Sequence, residues 1–180
     1  MSPASKSVSN NHIKVAILVN STNTAAQNVI VSGLQETVEK EIGSSTSVEI
    51  SVVAVDNSNA FSVEESVRDI FINQELPDVI VALDELTTTC VYQAVVDHYE
   101  VGNVRILGYY NSDTINNAIN RGAVYSTILV DTSQLGQYCV DALKEYNELG
   151  ATSQYFTADV TLINKGNVKQ YMEKEEPEDE

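Results

Sequence analysis

Residues 78–131 read DVIVALDELTTTCVYQAVVDHYEVGNVRILGYYNSDTINNAINRGAVYSTILVD. Three apolar runs, 79–83, 104–108 and 123–130, each end in a polar or aromatic cluster: Asp84-Glu85, Tyr109-Tyr110-Asn111 and Asp131-Thr132-Ser133. Segments of helical length separate the runs, so the stretch spells strand, polar loop, helix, strand. That is the rhythm of a parallel α/β sheet, whose strand ends gather at one rim. Any site is expected on that rim.

Working outward, residues 14–20 (KVAILVN) form a near-continuous apolar run, the pattern of a central strand buried on both faces. Ser21-Thr22-Asn23 offers an N-cap to a helix with Ile30, Leu34, Val38 and Ile42 on one face, closed at Gly43. Residues 48–55 read as a second strand and 56–59 as a turn. Ser62-Val63-Glu64-Glu65 has the form of a capping box, opening a helix that turns Val67, Ile70 and Phe71 inward. The third helix starts at Asp84 or Thr87, carries Cys90, Val91, Ala94 and Val95 inward, and ends near His98. Ser112 caps a short fourth helix with Ile115, Ala118 and Ile119 inward, and Gly122 closes it. Ser133 is the expected cap of a fifth, with Leu135, Cys139, Ala142, Leu143 and Tyr146 inward and a stop at Gly150. A last strand is expected over 155–163. Right-handed crossovers then predict an α/β, doubly wound, mainly parallel sheet of five to six strands. Its order is 2-1-3-4-5, with helices on both faces and a crevice between the first and third strands.

A chain of 180 residues fits one domain with a sizeable core. Residues 1–11 read as a linker, 12–171 as a single α/β lobe, and 172–180 as an acidic tail expected to be disordered. Net charge is −16, with a pI near 4.3. That excludes nucleic acid as a partner and argues against docking on anionic lipid. Cys90 and Cys139 have neither metal-site nor redox-pair spacing and are expected as buried free thiols. No stretch is long and apolar enough to span a membrane, and 1–11 does not read as a signal peptide.

Catalytic motifs are missing. The chain has no phosphate-binding glycine loop, no dinucleotide fingerprint and no nucleophile elbow. The two histidines, His12 and His98, stand apart in the sequence, the second placed for a helix C-terminal dipole contact. Asp84-Glu85 resembles an acid–base pair, but carboxylates opening a helix are ordinary N-terminal chemistry. Ser21-Thr22-Asn23-Thr24 lacks the glycine of a flavin-phosphate loop. No enzyme, cofactor or metal site is therefore expected.

Taken in order, five pieces carry a family likeness: KVAILVN…SGL, DVIVALDE, VRILGYYNS, INRGAVYSTILVDTSQLGQYCVDAL and ADVTLINKGNVKQY. Together they resemble the C-terminal lobe of type I periplasmic-binding-protein-like domains. These are the sugar-binding proteins of ABC importers and the effector domains of LacI-type repressors. The resemblance implies solute recognition by closure of two lobes, with a carbohydrate or related small molecule as ligand. It implies an extracytoplasmic setting, with an ABC permease or a membrane sensor as reader. It also implies a first lobe that this chain lacks, towards which the helix at 133–149 and the last strand would pack, or self-association in its place. The candidate ligand-contacting residues of this sequence are Asn20, Asn23, Asn28, Asp84, Tyr110, Asn111 and Asp131, the polar or aromatic side chains near the strand ends. Three of the family's sugar-bonding positions are held here by Leu83, Tyr110 and Val130, and Asn28 stands where many sugar binders carry an Arg. Those changes leave Tyr109 or Tyr110 to stack on a ligand. They also leave open two other readings, a lobe turned into an interaction module and a repressor effector domain.

Overall fold

The computed structural model describes residues 12–22, 25–42, 46–152 and 156–172. Strand β1 (His12–Asn20) leads to α1 (Ala25–Glu41), β2 (Ser47–Val55), α2 (Ala60–Asn73) and β3 (Val79–Ala82). Then follow α3 (Glu85–Asp97), β4 (Arg105–Tyr109), α4 (Asp113–Arg121), β5 (Ser126–Val130), α5 (Thr132–Leu149) and β6 (Val160–Asn164). One 3-10 turn, Val168–Gln170, ends the described chain. Residues 1–11, Asn23, Gly43 and the acidic tail beyond Met172, each read from the sequence, lie outside the described residues.

All six strands form one sheet, ordered β2-β1-β3-β4-β5-β6. Pairing is parallel from β2 through β5, so the predicted 2-1-3-4-5 core stands. Strand β6 extends it at the far edge and runs antiparallel to β5. The path after α5 explains the reversal. Tyr138 stacks on Phe156 with ring centroids 5.3 Å apart, and its hydroxyl donates to the Thr157 carbonyl at 3.1 Å. Nearer the helix start, the Gln134 amide donates to Asp159 Oδ2 at 2.7 Å and accepts the Asp159 N–H at 2.9 Å. The chain thus returns along α5 to the rim it left and enters the sheet from the opposite end.

Side chains alternate cleanly between two sheet faces. On one face Ala16, Leu18, Val55, Ile80, Ile106 and Ile163 pack under α2, α3 and α4, which supply Val63, Val67, Ile70, Val91, Val95, Ile115 and Ile119. On the other, Val15, Ile17, Val19, Val81 and Leu83 lie under Val31 and Leu34 of α1. Helices therefore cover both faces, but unequally. Ile128 and Leu162, paired across β5 and β6, are 39% and 52% exposed on the thin face.

Several local expectations need correction. Helix α2 is capped by Asn59, whose side chain accepts the Ser62 N–H, so Ser62 lies inside the helix it was expected to open. Helix α5 is capped by Asp131 instead of Ser133, because the carboxylate at the strand end already takes the Gln134 N–H at 3.0 Å. Strand β5 begins at Ser126, since Gly122 at φ 81° turns the chain and residues 123–125 complete that turn. Strand β6 begins only at Val160. His12 is not isolated: its ring nitrogens lie 3.2 Å from Ser47 Oγ and from Glu49 Oε2 across the β1–β2 edge. His98 caps the end of α3 and stacks on Phe71 at 5.3 Å.

The largest departure concerns α5. Its apolar stripe was expected inward, yet none of its residues is buried, and Leu143, Tyr146 and Leu149 are 70%, 64% and 77% exposed. Cys139 is exposed with it, and Cys90 is half-buried on α3, so the expectation of two buried thiols fails. Periodicity reports an apolar face but not what it faces. Burial does push the Cys90 thiol above its ordinary pKa.

Candidate functional site

Parallel pairing sends the carboxyl ends of β1, β3, β4 and β5 to one edge of the sheet. There the exits from Asn20, Ala82, Tyr109 and Val130 lie side by side, spanning roughly 14 Å at about 4.8 Å per strand. The strand order reverses around β1, with β2 on one side and β3 on the other, which is where crevices open in doubly wound sheets. Asn20, Asp84, Tyr110, Asn111 and Asp131 all reach this rim.

The two carboxylates are already engaged. Asp84 caps α3: Oδ1 accepts the Thr87 N–H at 2.7 Å and Oδ2 accepts the Thr87 hydroxyl at 2.8 Å. Asp131 caps α5 in the same way. Each carboxylate retains lone pairs beyond the cap and can accept a further hydrogen bond. The Asn20 N–H donates to Gln27 Oε1 at 3.1 Å, which draws the buried Gln27 of α1 beneath the rim.

At the β4 exit the packing is tightest. Thr88, fully buried on α3, donates to the Asp84 carbonyl at 2.6 Å and accepts the Tyr109 N–H at 3.2 Å. Thr127, also fully buried, donates to the Tyr110 carbonyl at 2.5 Å, and the Tyr110 N–H donates to the Ile128 carbonyl at 2.6 Å. Gly108 lies between the two threonines; a Cβ there would stand 2.5 Å from Thr88 Cγ2 and 3.1 Å from Thr127 Oγ1. Two hydroxyls and one absent side chain thus brace the loops after β3 and β4 against each other and against strand β5. Nothing in the residue pattern marked Thr88 or Thr127 as site residues. Their only signal was a hydroxyl inside an otherwise apolar strand or helix face.

Beside the rim, the Ser21 and Thr22 hydroxyls donate to Asn57 Oδ1 at 3.3 and 3.2 Å, tying the β1 and β2 exits. Next to it, the Ser58 hydroxyl and then its N–H donate to Asp56, holding that exposed carboxyl below the ordinary carboxylate range. A depressed pKa means the interaction is fully present above the unfolded value and is lost as pH falls through the folded one. Ser58→Ala is expected to move the Asp56 titration upward toward the ordinary value. Carbon-13 NMR of the carboxyl checks this; an unmoved midpoint contradicts the assignment.

Solved structures share this architecture. The chain matches no family model and no curated protein. It superposes on a glucose-galactose binding protein of Geobacillus stearothermophilus with a TM-score of 0.75 at 16% identity, covering 87% of this chain and 55% of that one. The chain has the fold of one lobe of a type I periplasmic-binding protein. The Caulobacter myo-inositol binding protein aligns with the lobe at a TM-score of 0.71 and 15% identity, over 89% of this chain and 54% of that one. XylFII, in its complex with LytSN, aligns at 0.71 and 20% identity, over 87% and 54%. In each case the lobe spans about half of the matched chain's length.

Of the other positions taken from the sequence, Asn28 sits on α1 beside Val29, Ser32, Gly33 and Glu36, lining an open groove on the outer surface of that helix. Asn23 lies outside the described residues. The lobe's more enclosed pocket, about 130 Å³, lies at the opposite end of the sheet near Lys14, Glu49 and Glu75. Lys14 pairs there with Glu75 at 2.5 Å, an exposed contact that serves the sheet edge. Among the described residues no group of three His, Cys, Asp or Glu side chains gathers as a metal site. None of their helices is long and apolar enough to cross a membrane.

Proposed function

We propose that this chain is a non-enzymatic solute-recognition lobe, one wall of a cleft closed by a second lobe. The observation that supports it most is the convergence of Asn20, Asp84, Tyr110, Asn111 and Asp131 on one rim of a fold shared with sugar-binding structures. A small carbohydrate or related ring is the ligand class. Ligand bridging the two walls shifts an open–closed equilibrium, and an ABC permease or membrane sensor outside the cytoplasm reads the closed state. The second wall packs on the thin sheet face and α5, where Ile128, Leu143, Tyr146, Leu149, Val160 and Leu162 are exposed. Titration of the labelled chain with monosaccharides and cyclitols tests the reading by amide NMR. Shifts are expected at 20–22, 83–85, 109–112 and 131; shifts scattered elsewhere, or none, would refute it.

A second reading has its own support. Leu83, only 8% exposed, and Val130 end their strands without polar groups, and the exposed α5 face is large. A lobe used for assembly rather than ligand capture fits those features, and a null result in the titration favours it. A repressor effector role has no observation of its own here.

A further inference from the structure

The two outer strands of the sheet, β2 and β6, treat their free edges differently. At β6 the edge is shut. Ile128 turns its carbonyl to β4, so the backbone groups of Leu162, opposite it, face outward. Asn167 folds over them: its amide donates to the Leu162 carbonyl at 2.9 Å and accepts the Asn164 N–H at 2.8 Å. At β2 nothing comparable happens. The Val55 carbonyl accepts the Ser21 N–H, so Val55 faces β1, and the unbroken register from Ser47 to Val55 fixes the alternation. Val48, Ile50, Val52 and Ala54 therefore point four N–H and four carbonyl groups away from the sheet, and no described residue bonds them. The strand is nine residues long, with no Pro, Lys or bulge, so it lacks the devices that keep edges from pairing. Glu49 is its single charge, tied to His12 at 3.2 Å.

We propose that β2 is a pairing edge whose occupant is β2 of a second copy of this chain, antiparallel about a two-fold axis through Ser51. The strand's own symmetry selects that occupant. With Ser51 on the axis, Ile50 stands opposite Val52 of the second copy and Val48 opposite Ala54, so every outward N–H meets an outward carbonyl. Faces match as well. Ile50 and Val52 meet on the α1 side of the sheet, and Glu49 comes opposite Val53 instead of its own copy. A chain of net charge −16 repels its copy over most of its surface, and this seam sets no two acids face to face. Because Asn167 shuts the other edge, pairing ends at two copies and does not run on into a fibre. Strand β2 lies at the far end of the sheet from β5 and β6, so the pairing stands apart from the recognition reading above.

Sedimentation equilibrium of the 180-residue chain tests this. The weight-average mass is expected to climb with concentration from 19.7 kDa towards twice that value and to stop there. Val52→Pro removes one donor from each copy, two of the eight bonds, and is expected to weaken the dimer at least about tenfold. That N–H has no partner within the chain, so the dilute variant is expected to stay folded in thermal unfolding. Val52→Lys keeps the N–H and sets a charge beside Ile50 of the second copy; it is expected to weaken the dimer too, and decides the matter if the proline variant unfolds. Ser51→Cys reads the register. Residues facing each other in a non-hydrogen-bonded pair stand about 4.5 Å apart at Cα, within disulfide range, so position 51 is expected to cross-link to itself on oxidation. Leu143→Glu, on the exposed face of α5, is expected to leave the dimer intact. A monomer throughout the concentration series, a dimer undiminished by the Val52 variants, a mass beyond two copies, or a dimer lost with Leu143→Glu each overturns the pairing. So does a Ser51→Cys chain that links only through Cys139.

Discussion

Gly108→Ala is expected to destabilise the chain by about 3 kcal/mol, at the upper end of what overpacking a filled core costs. The new methyl would lie 2.5 Å from Thr88 Cγ2, far inside contact distance. Thr88 has nowhere to retreat: it is fully buried, branched at Cβ, and fixed by hydrogen bonds to the Asp84 carbonyl and the Tyr109 N–H. The cost is local to a single methyl, which gives the prediction its control. Thr88→Ser removes Cγ2 and keeps the hydroxyl, so the double variant Thr88→Ser/Gly108→Ala is expected to recover at least half of the loss. Urea unfolding of the four proteins reads the coupling directly. Additive losses in the cycle would mean that the clash is relieved elsewhere and that the brace is not rigid.

Ile17→Ala is expected to cost about 3–4 kcal/mol, the usual range for emptying a buried branched side chain. Ile17 is fully buried at the centre of β1, flanked by Val52 and Val81 on the neighbouring strands. Its face of the sheet is the thin one, roofed by Val31 and Leu34 of α1 alone. Val52 lies on the same face at the edge strand and is 48% exposed, so Val52→Ala is expected to cost under about 1 kcal/mol. The contrast between two aliphatic neighbours, measured by denaturant midpoints at equal slope, reports how far the α1 roof extends. Equal losses would place Val52 under cover as well.

The order of the parallel strands was legible because β1 and β3 are short, continuous apolar runs and each is followed by a helix of opposite periodicity. Caps were legible where one residue offers itself, as at Ser112 and Gly122, whereas at the third helix the choice between Asp84 and Thr87 stayed open until the structure placed Asp84 there. They were misread where two nearby capping residues, hydroxyl, carboxyl or amide, compete. Asp131 takes the role expected of Ser133, and Asn59 that expected of Ser62, because the earlier residue sits where the strand or turn already ends. The side-chain stripe on α5 could not tell burial from exposure, since an apolar face shared with another surface has the same period as one facing the home core. The rim was found through the strand-end clusters, but its brace was not. Thr88 and Thr127 act through buried hydroxyls and a missing Cβ at Gly108, a three-body arrangement with no one-dimensional trace.

The attachment of α5 has a consequence for motion. An eighteen-residue helix that buries none of its side chains is held at its start by the Gln134–Asp159 pair and the Tyr138–Phe156 stack. So few contacts predict that it opens at lower free energy than the sheet, with faster amide hydrogen exchange over 140–149 than over 15–19 as the expected result. Leu143, Tyr146 and Leu149 stand exposed along its outer half. Because Asp131 is both the cap of that helix and a rim residue, ordering the helix also fixes one edge of the rim. A single carboxylate thus stands at both the helix start and the strand ends.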